Sequence, residues 1–245
     1  VGGGVIAAVP GKLGMATYGP ALDAAGNSCF ALYALERIAS EEQLGIFSSP
    51  RRATSLGTFR TPQSLDELVE RIGREATSGQ VASYIPELAK VLPEHRGVSI
   101  ATLDGEVMGG GEHTDFKFTM QSICVPFLLC YILHRRGMEF VFSRLGREAT
   151  GDPFNADPKW IEIDGRTSPF NPMINAGAIL TASMLPEETA EERRASFLEF
   201  VREACDNPGI DVDEAVFQSE SAFGEVNRKL GWDLLHRGCF DHRPQ

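Results

Sequence analysis

Two segments with hairpin character, far apart in the chain, constrain the fold more than any other feature. Residues 1–20 contain two short apolar runs on either side of the turn residues 10–14. Residues 96–103 alternate between apolar and polar side chains, 104–105 form an Asp-Gly turn, and 106–108 return. Such pairs of runs around turn residues are typical of antiparallel strands. The sequence therefore predicts an antiparallel sheet.

Between and after these hairpins the apolar residues recur with helical spacing. The first predicted helix ends near Ala39 and is capped by Asn27 or Ser28, and the second opens at Ser64 with a capping box to Glu67. Further helices are predicted at about 81–91, 122–135, 138–146, 175–185, 188–205 and 212–230. We expect an α/β (α+β) protein in which an antiparallel sheet has a helical side.

Composition excludes several classes of function. The net charge of −11 disfavours a nucleic-acid partner, and we find neither a basic amphipathic face nor an apolar run long enough to span a membrane. The five cysteines show no CxxC spacing, and the five histidines form no metal-binding pattern. We therefore expect no metal, no cofactor and a reducing compartment.

Two stretches bear on domain organisation. Residues 48–61, SSPRRATSLGTFRT, have no hydrophobic period and are interpreted as a linker. The chain opens at Val1 without an initiator Met or a signal peptide, so we expect it to be cut from something longer. No secretion signal is present in the sequence, which favours a cytoplasmic or mitochondrial location.

A serine stands directly before an apolar helical run in MQSICVPF, residues 120–127. Backbone N–H groups and the positive dipole end at a helix N-terminus can stabilise an oxyanion near Ser122. The ordinary alternative is a helix cap. In S-x-x-K enzymes a lysine one turn later takes the serine proton, but here that position holds Val125.

Polar residues in two later stretches are candidate binding groups. Asn175, in NPMIN, can cap the helix that follows it. Glu220 and Asn227 are seven residues apart, so on one helix they would share a face, which is ordinarily a solvated face. Alternatively, the carboxylate and the two amides can clamp the ammonium and carboxylate groups of an amino acid.

Taken together, these stretches resemble the serine-dependent glutaminase family, whose fold is similar to that of the serine β-lactamases and transpeptidases. The segments that carry the resemblance are GQVASYIPELAKV (79–91), GVSIATLDGEV (97–107), MQSICVPF (120–127), LGREATGDPFN (145–155), NPMINAGAI (171–179) and FQSESAFGEVN (217–227). The resemblance implies hydrolysis of L-glutamine to L-glutamate and ammonia, and assembly into a homo-oligomer.

The resemblance also assigns roles to individual residues. Ser122 matches the nucleophile that attacks the side-chain amide of glutamine, Gln121 stands beside it, and Tyr84 matches a pocket-lining tyrosine. The groups implied to hold the substrate's α-amino and α-carboxylate groups are Asn175, Glu220 and Asn227. Val1 matches the residue whose backbone N–H helps to form the oxyanion hole.

The order of the segments departs from that of the family. Residues 1–47 resemble the C-terminal end of a family domain, whereas 62–245 resemble a truncated N-terminal segment. Three histories fit this order: a junction between tandem domains, a circular permutant, or an incomplete copy. In the family's fold the terminal strands are neighbours, so in a permutant the hairpin at 4–18 can pair with 97–108.

Three further departures concern the chemistry. The family's base lysine is replaced by Val125, the tyrosine-bearing helical stretch expected after Asn227 is absent, and the Lys-Ser-Gly signature is missing before Val1. We therefore expect an impaired glutaminase. The alternative is an inactive relative that binds glutamine or only assembles with partners. Penicillin-type acyl transfer is set aside because its Ser-Asp-Asn and Lys-Thr-Gly elements are absent.

Overall fold

A computed structural model describes residues 2–44, 62–76, 78–112, 116–152 and 156–240. The chain forms two compact units, unit 1 (Val1–Ile123) and unit 2 (Cys124–Gln245), and each is described by itself. The linker predicted at 48–61 lies outside the described residues.

Unit 1 is built on a four-stranded antiparallel sheet. Its strands are β1 (Gly4–Val9), β2 (Leu13–Tyr18), β5 (Gly97–Thr102) and β6 (Val107–Gly111), in the spatial order β1-β2-β5-β6. Both predicted hairpins are confirmed. The first hairpin pairs with the second through β2 and β5, although the intervening segment separates them in the chain.

The register of the sheet fixes which strand ends lie together. Gly4 is opposite Tyr18, Tyr18 is opposite Gly97, and Gly97 is opposite Gly111. The start of β1 and the end of β6 therefore lie at the same end of the sheet. Thr102 lies at the other end, opposite Leu13.

Two helices, α1 (Cys29–Glu41) and α2 (Pro62–Glu75), pack on the sheet. Ser28 caps α1 as predicted, because its hydroxyl accepts a hydrogen bond from the amide of Ala31. The capping box predicted at Ser64 is wrong. Helix α2 already begins at Pro62, a residue type favoured at the first helical position, so Ser64 lies inside the first turn. The core of unit 1 includes Leu13, Met15, Phe30, Ala34, Ile38, Leu65, Leu68, Ile72, Val98 and Ile100.

The helix predicted at 81–91 is also wrong. The short strand β4 (Gln80–Val81) pairs with β3 (Ala21–Leu22), and only Leu88–Lys90 form a turn of 3₁₀ helix. Buried Ala82, Ile85 and Leu88 recur every three residues, which resembles a helical pattern in the sequence.

Unit 2 is mostly helical. Its helices are α3 (Cys124–Arg136), α4 (Met138–Phe142), α5 (Asn175–Ser183), α6 (Ala190–Ala204), α7 (Glu214–Phe223) and α8 (Glu225–His236). A hairpin of β7 (Trp160–Ile163) and β8 (Arg166–Pro169) accompanies them. The core cluster includes Leu128, Tyr131, Ile132, Val141, Leu145, Leu180, Met184 and Leu234.

Three sequence predictions for unit 2 need correction. The helix predicted at 138–146 ends at Phe142. The helix predicted at 212–230 is two helices, because the chain leaves helical geometry at Gly224. The hairpin β7–β8 was not predicted, although its Asp164-Gly165 turn is a strong hairpin signal.

The α/β class with an antiparallel sheet and packed helices is confirmed. Within the described ranges, no helix has both the length and the apolar composition needed to cross a membrane.

Candidate active site

The candidate nucleophile Ser122 lies in unit 1, in the middle of a single 3₁₀ turn, Gln121–Ile123. Its side chain is exposed. Helix α3 begins at Cys124, so the serine stands just before a helix N-terminus, as predicted. Backbone N–H groups at such a position are the donors that an oxyanion requires.

Two further predicted residues lie together beside this serine. The Tyr84 hydroxyl donates a hydrogen bond to Oε1 of Gln121 over 2.9 Å. Tyr84 remains 54% exposed, so the residue is accessible to a ligand. Unit 1 therefore brings the predicted pocket tyrosine into contact with the residue that precedes the candidate nucleophile Ser122.

The backbone at Gln121 is unusual. Its φ is +47°, in the left-handed region that ordinary side chains avoid. The other described non-glycine residues with positive φ follow the last turn of a helix or lie in a hairpin turn, where this conformation is ordinary: Gln43, Asp206 and Asp164. Gln121 has no such reason. Strain of this kind persists where the surroundings enforce it, and functional sites are a common location.

The opening residues of the chain pack against the segment that carries the serine. A Cβ atom placed on Gly2 would lie 3.1 Å from Oγ1 of Thr119 and 3.3 Å from Cγ of Gln121. One placed on Gly4 would lie 2.4 Å from Cδ1 of Ile123. Glycines at these two positions therefore let the start of the chain approach closely, and a larger residue would require the side chains of Thr119, Gln121 or Ile123 to shift. Val1, the predicted oxyanion-hole residue, lies outside the described residues.

Aromatic rings pack together in the residues that precede Ser122 in the chain. Phe118 stacks on Tyr18 with ring centroids 4.6 Å apart, and Phe116 lies between Tyr18 and His95, 5.4 and 4.0 Å from them. Burial, with a smaller contribution from the Glu112 carboxylate, raises the pKa of Tyr18 to about 12. Tyr18 is therefore a neutral, buried support at physiological pH.

Unit 2 holds the three predicted substrate-binding residues. Asn175 is the first residue of α5, and the prediction that it caps this helix is wrong, since the cap position is Ile174 and no side chain caps there. The turn is held instead by Asn171, whose Oδ1 accepts from the amides of Met173 and Ile174. The Asn175 amide group is thus not used as a cap.

Glu220 lies on α7 and Asn227 on α8. The break at Gly224 means that their spacing of seven does not place them on one helix face, which corrects the prediction. Arg228 spans the break, donating from Nη1 to the carbonyl of Ser221 over 2.8 Å. Helix α8 packs against α5, which begins with Asn175.

Cys124, the first residue of α3, has no role predicted from the sequence. Burial raises the pKa of its thiol, and the Glu220 carboxylate contributes a smaller effect in the same direction. The negative charge of Glu220 therefore acts on the first turn of α3, the helix that follows the serine. The signal was available, because Cys124 is two residues from Ser122.

Val125, at the position of the expected base, is the second residue of α3 and is half-buried. Its isopropyl group has no atom that accepts a proton. Among the residues that the structure describes, no group of three or more His, Cys, Asp or Glu is placed to hold a metal ion.

Comparison with known proteins identifies the family. The sequence pattern of the family described as Glutaminase matches residues 1–47 and 79–245. This chain belongs to the glutaminase family. It is 38% identical over 180 residues to the glutaminase of Alkaliphilus metalliredigens (strain QYMF), covering 74% of this chain and 58% of that protein. It is 41% identical over 177 residues to glutaminase 2 of Clostridium perfringens (strain 13 / Type A), covering 72% and 57%.

A solved structure extends the comparison to the fold. The probable glutaminase from Bacillus subtilis complexed with 6-diazo-5-oxo-L-norleucine matches with a TM-score of 0.61 and 30% identity, over 74% of this chain and 53% of that one. The chain thus spans a little over half the length of the glutaminases that it matches.

Proposed function

We propose that this chain carries a serine-dependent glutaminase site that hydrolyses L-glutamine to L-glutamate and ammonia. The observation that carries the proposal is the grouping in unit 1 of Tyr84, Gln121 and Ser122, in a chain of the glutaminase family. An exposed serine before a helix, next to a strained residue, is typical of a nucleophile presented to a substrate.

In the proposed reaction the Ser122 oxygen attacks the side-chain amide carbon of glutamine. The serine proton passes to the amide nitrogen, the C–N bond breaks and ammonia leaves. Water then cleaves the resulting ester, which releases glutamate and restores the serine hydroxyl. Backbone N–H groups, including that of Val1 by its resemblance to the family, are proposed to stabilise the oxyanion.

The substrate's α-amino and α-carboxylate groups are the proposed ligands of Asn175, Glu220 and Asn227. Glu220 is the acidic member of this set and therefore the partner for the ammonium group. The two amides can donate to the carboxylate. The start of helix α5 supports this role, because the Asn175 side chain does not cap that helix.

We infer that turnover is impaired, because Val125 stands where the family has its base lysine. Without a base the serine hydroxyl is a weak nucleophile, and loss of a general base costs a factor of about 10²–10⁴ in rate. A chain in this state still has its proposed binding groups.

We also propose that residues 1–47 are a C-terminal family segment placed before an N-terminal one at 62–245. The pairing of β2 with β5 supports this order, because it joins the two segments in one sheet. The proposed assembly is a homo-oligomer, and the net charge of −11 argues against nucleic acid or an anionic membrane as a partner.

Glutamine-dependent release of ammonia by the purified chain tests the proposal, with Val125→Lys beside it and Ser122→Ala as the blank. Activity in the unchanged chain that disappears in the blank means that another group serves as the base. If the unchanged chain releases no ammonia and Val125→Lys does, the site is complete except for its base. Silence in both contradicts a working site in this chain.

The second candidate, favoured by Val125, is an inactive protein that binds glutamine. Calorimetric titration with L-glutamine distinguishes it when Val125→Lys is titrated as well, because binding without ammonia release in both proteins is expected only from this candidate. 6-Diazo-5-oxo-L-norleucine provides a covalent probe: the serine proton passes to its terminal carbon, and the serine oxygen then bonds to that carbon as dinitrogen leaves. A mass increase that is lost in Ser122→Ala would show a serine that still reacts.

A further inference from the structure

Thr119 is not among the residues assigned a role by family resemblance, yet it contacts the residue beside the nucleophile. Its Oγ1 accepts a hydrogen bond from Nε2 of Gln121 over 3.5 Å, at the long end of the hydrogen-bond range. Oε1 of the same carboxamide accepts from Tyr84. The Gln121 side chain is therefore held at both ends, by one hydroxyl on each side.

Gly2 packs against the contact between Thr119 and Gln121. The backbone of Gly2 lies against both Thr119 and Gln121, and a Cβ atom there would come within 3.1 Å of the threonine oxygen. Thr119 and Gln121 are both half-buried, whereas Ser122 is exposed.

The two side-chain contacts of Gln121 stabilise its left-handed backbone conformation. A non-glycine residue at φ +47° tends to relax to an ordinary conformation unless its side chain and neighbours hold it. Such relaxation would turn the following peptide and move both the amide and the hydroxyl of Ser122. Two anchors on the carboxamide oppose that relaxation.

We propose that Thr119 is a positioning residue that acts through Gln121: its hydroxyl holds the Gln121 carboxamide, and with it the strained backbone, so that Ser122 keeps the orientation needed for attack. The proposal rests on the proposed function, because it treats Ser122 as the nucleophile. In this role Thr119 acts on Ser122 through the Gln121 side chain rather than by direct contact with the substrate.

Three variants of the full chain test it. Thr119→Val removes the hydroxyl with little change of shape, and Thr119→Ser keeps the hydroxyl. Thr102→Val is the matched control, since Thr102 lies at the opposite end of the sheet and its hydroxyl bonds within its own turn, to Asp104 and Glu106. Circular dichroism checks that each variant folds.

The first measurement needs no substrate. The side-chain amide signals of Gln121 are recorded by NMR and assigned by their loss in Gln121→Ala. We expect them to move in Thr119→Val and to return in Thr119→Ser, with no change in Thr102→Val. Signals that stay in place in Thr119→Val overturn the proposal.

The second measurement is glutamine turnover, in the unchanged chain or in the Val125→Lys background if only that one is active. Loss of one side-chain hydrogen bond predicts a fall in kcat of about three- to tenfold in Thr119→Val. The fall should be absent in Thr119→Ser. It should also vanish when Gln121 is already alanine, because the two residues act as a unit.

An equal fall in kcat on Thr119→Val, whether position 121 is Gln or Ala, would mean a general structural effect and would overturn the positioning role. An unchanged kcat in Thr119→Val, despite moved amide signals, would overturn it as well. If no background hydrolyses glutamine, the proposed function has failed. The amide signals then decide alone whether Thr119 holds Gln121.

Discussion

The hydroxyl of Ser28 connects helix α1 to the end of the sheet that carries the candidate site. It accepts from the amide of Ala31 over 3.1 Å and donates to the carbonyl of Gly19 over 2.6 Å. Gly19 in turn donates from its amide to the carbonyl of Gly3. Ser28→Ala is therefore expected to weaken both the helix cap and the strand ends beside Gln121.

The expected cost follows from these two bonds. Loss of a serine N-cap costs about 1 kcal/mol. The Gly19 carbonyl is buried and would lose its hydroxyl donor, which costs about 1–3 kcal/mol. Together these predict that Ser28→Ala lowers the free energy of unfolding of unit 1 by about 2–4 kcal/mol, a large part of the total for a domain.

Urea unfolding followed by circular dichroism measures this change, and hydrogen exchange at the Ala31 amide localises it. Both tryptophans, Trp160 and Trp232, lie in unit 2, so their fluorescence provides an internal reference. Ser40→Ala, an exposed position in the same helix, should change stability by no more than about 0.5 kcal/mol. If Ser28→Ala behaves like Ser40→Ala, the reasoning is refuted.

Three other perturbations have expected outcomes. Gly3→Ala should destabilise unit 1 by at least about 2 kcal/mol, because φ is +97° and the new Cβ would lie 2.4 Å from a carbonyl oxygen, whereas Gly14→Ala, with open space, should not. Burial raises the pKa of Tyr18 to about 12, above its unfolded value of 10.0. The contribution of this tyrosine to the free energy of unfolding is therefore present below pH 10 and is lost as the pH rises through 12. The loss of stability at alkaline pH should be smaller in Tyr18→Phe. Tyr131→Phe should cost about 1–3 kcal/mol, since its hydroxyl donates to the largely buried Glu187 carboxylate, and adding Glu187→Leu should recover part of that cost.

Each of these has a distinct contradicting result. Equal urea midpoints for Gly3→Ala and Gly14→Ala would refute the close approach at Gly19. An alkaline stability profile that is unchanged in Tyr18→Phe would mean that this tyrosine does not titrate differently in the folded chain. A double variant less stable than Tyr131→Phe would show that Glu187 has other stabilising partners.

The two hairpins of the sheet and the place of Ser122 before a helix could be predicted because their signals are local. Alternating residues around Asp104-Gly105 specify a hairpin wherever the chain goes next, and a serine before an apolar helical run needs only its own neighbours. The same reasoning applies to Ser28, whose cap is satisfied three residues away.

The failures arose where tertiary contacts decide. Strand β4 has only two residues and exists because it meets β3, almost sixty positions earlier, so no local pattern announces it. The break at Gly224 has no clear local signal, because the apolar pattern continues across it. The strain at Gln121 has no sequence signal at all, since it depends on Tyr84 and Thr119 holding one side chain from two directions.

The pairing of β2 with β5 also has a consequence for synthesis of the chain. The first hairpin can close soon after it leaves the ribosome, but its partner strand lies about 80 residues later, a delay of about 4–16 s at ordinary translation rates. During that interval the N–H and C=O groups along one side of β2 have no strand to bind. An open edge of this kind is a template for strands of other chains, so crowded polysomes are where this protein is most exposed to misassembly.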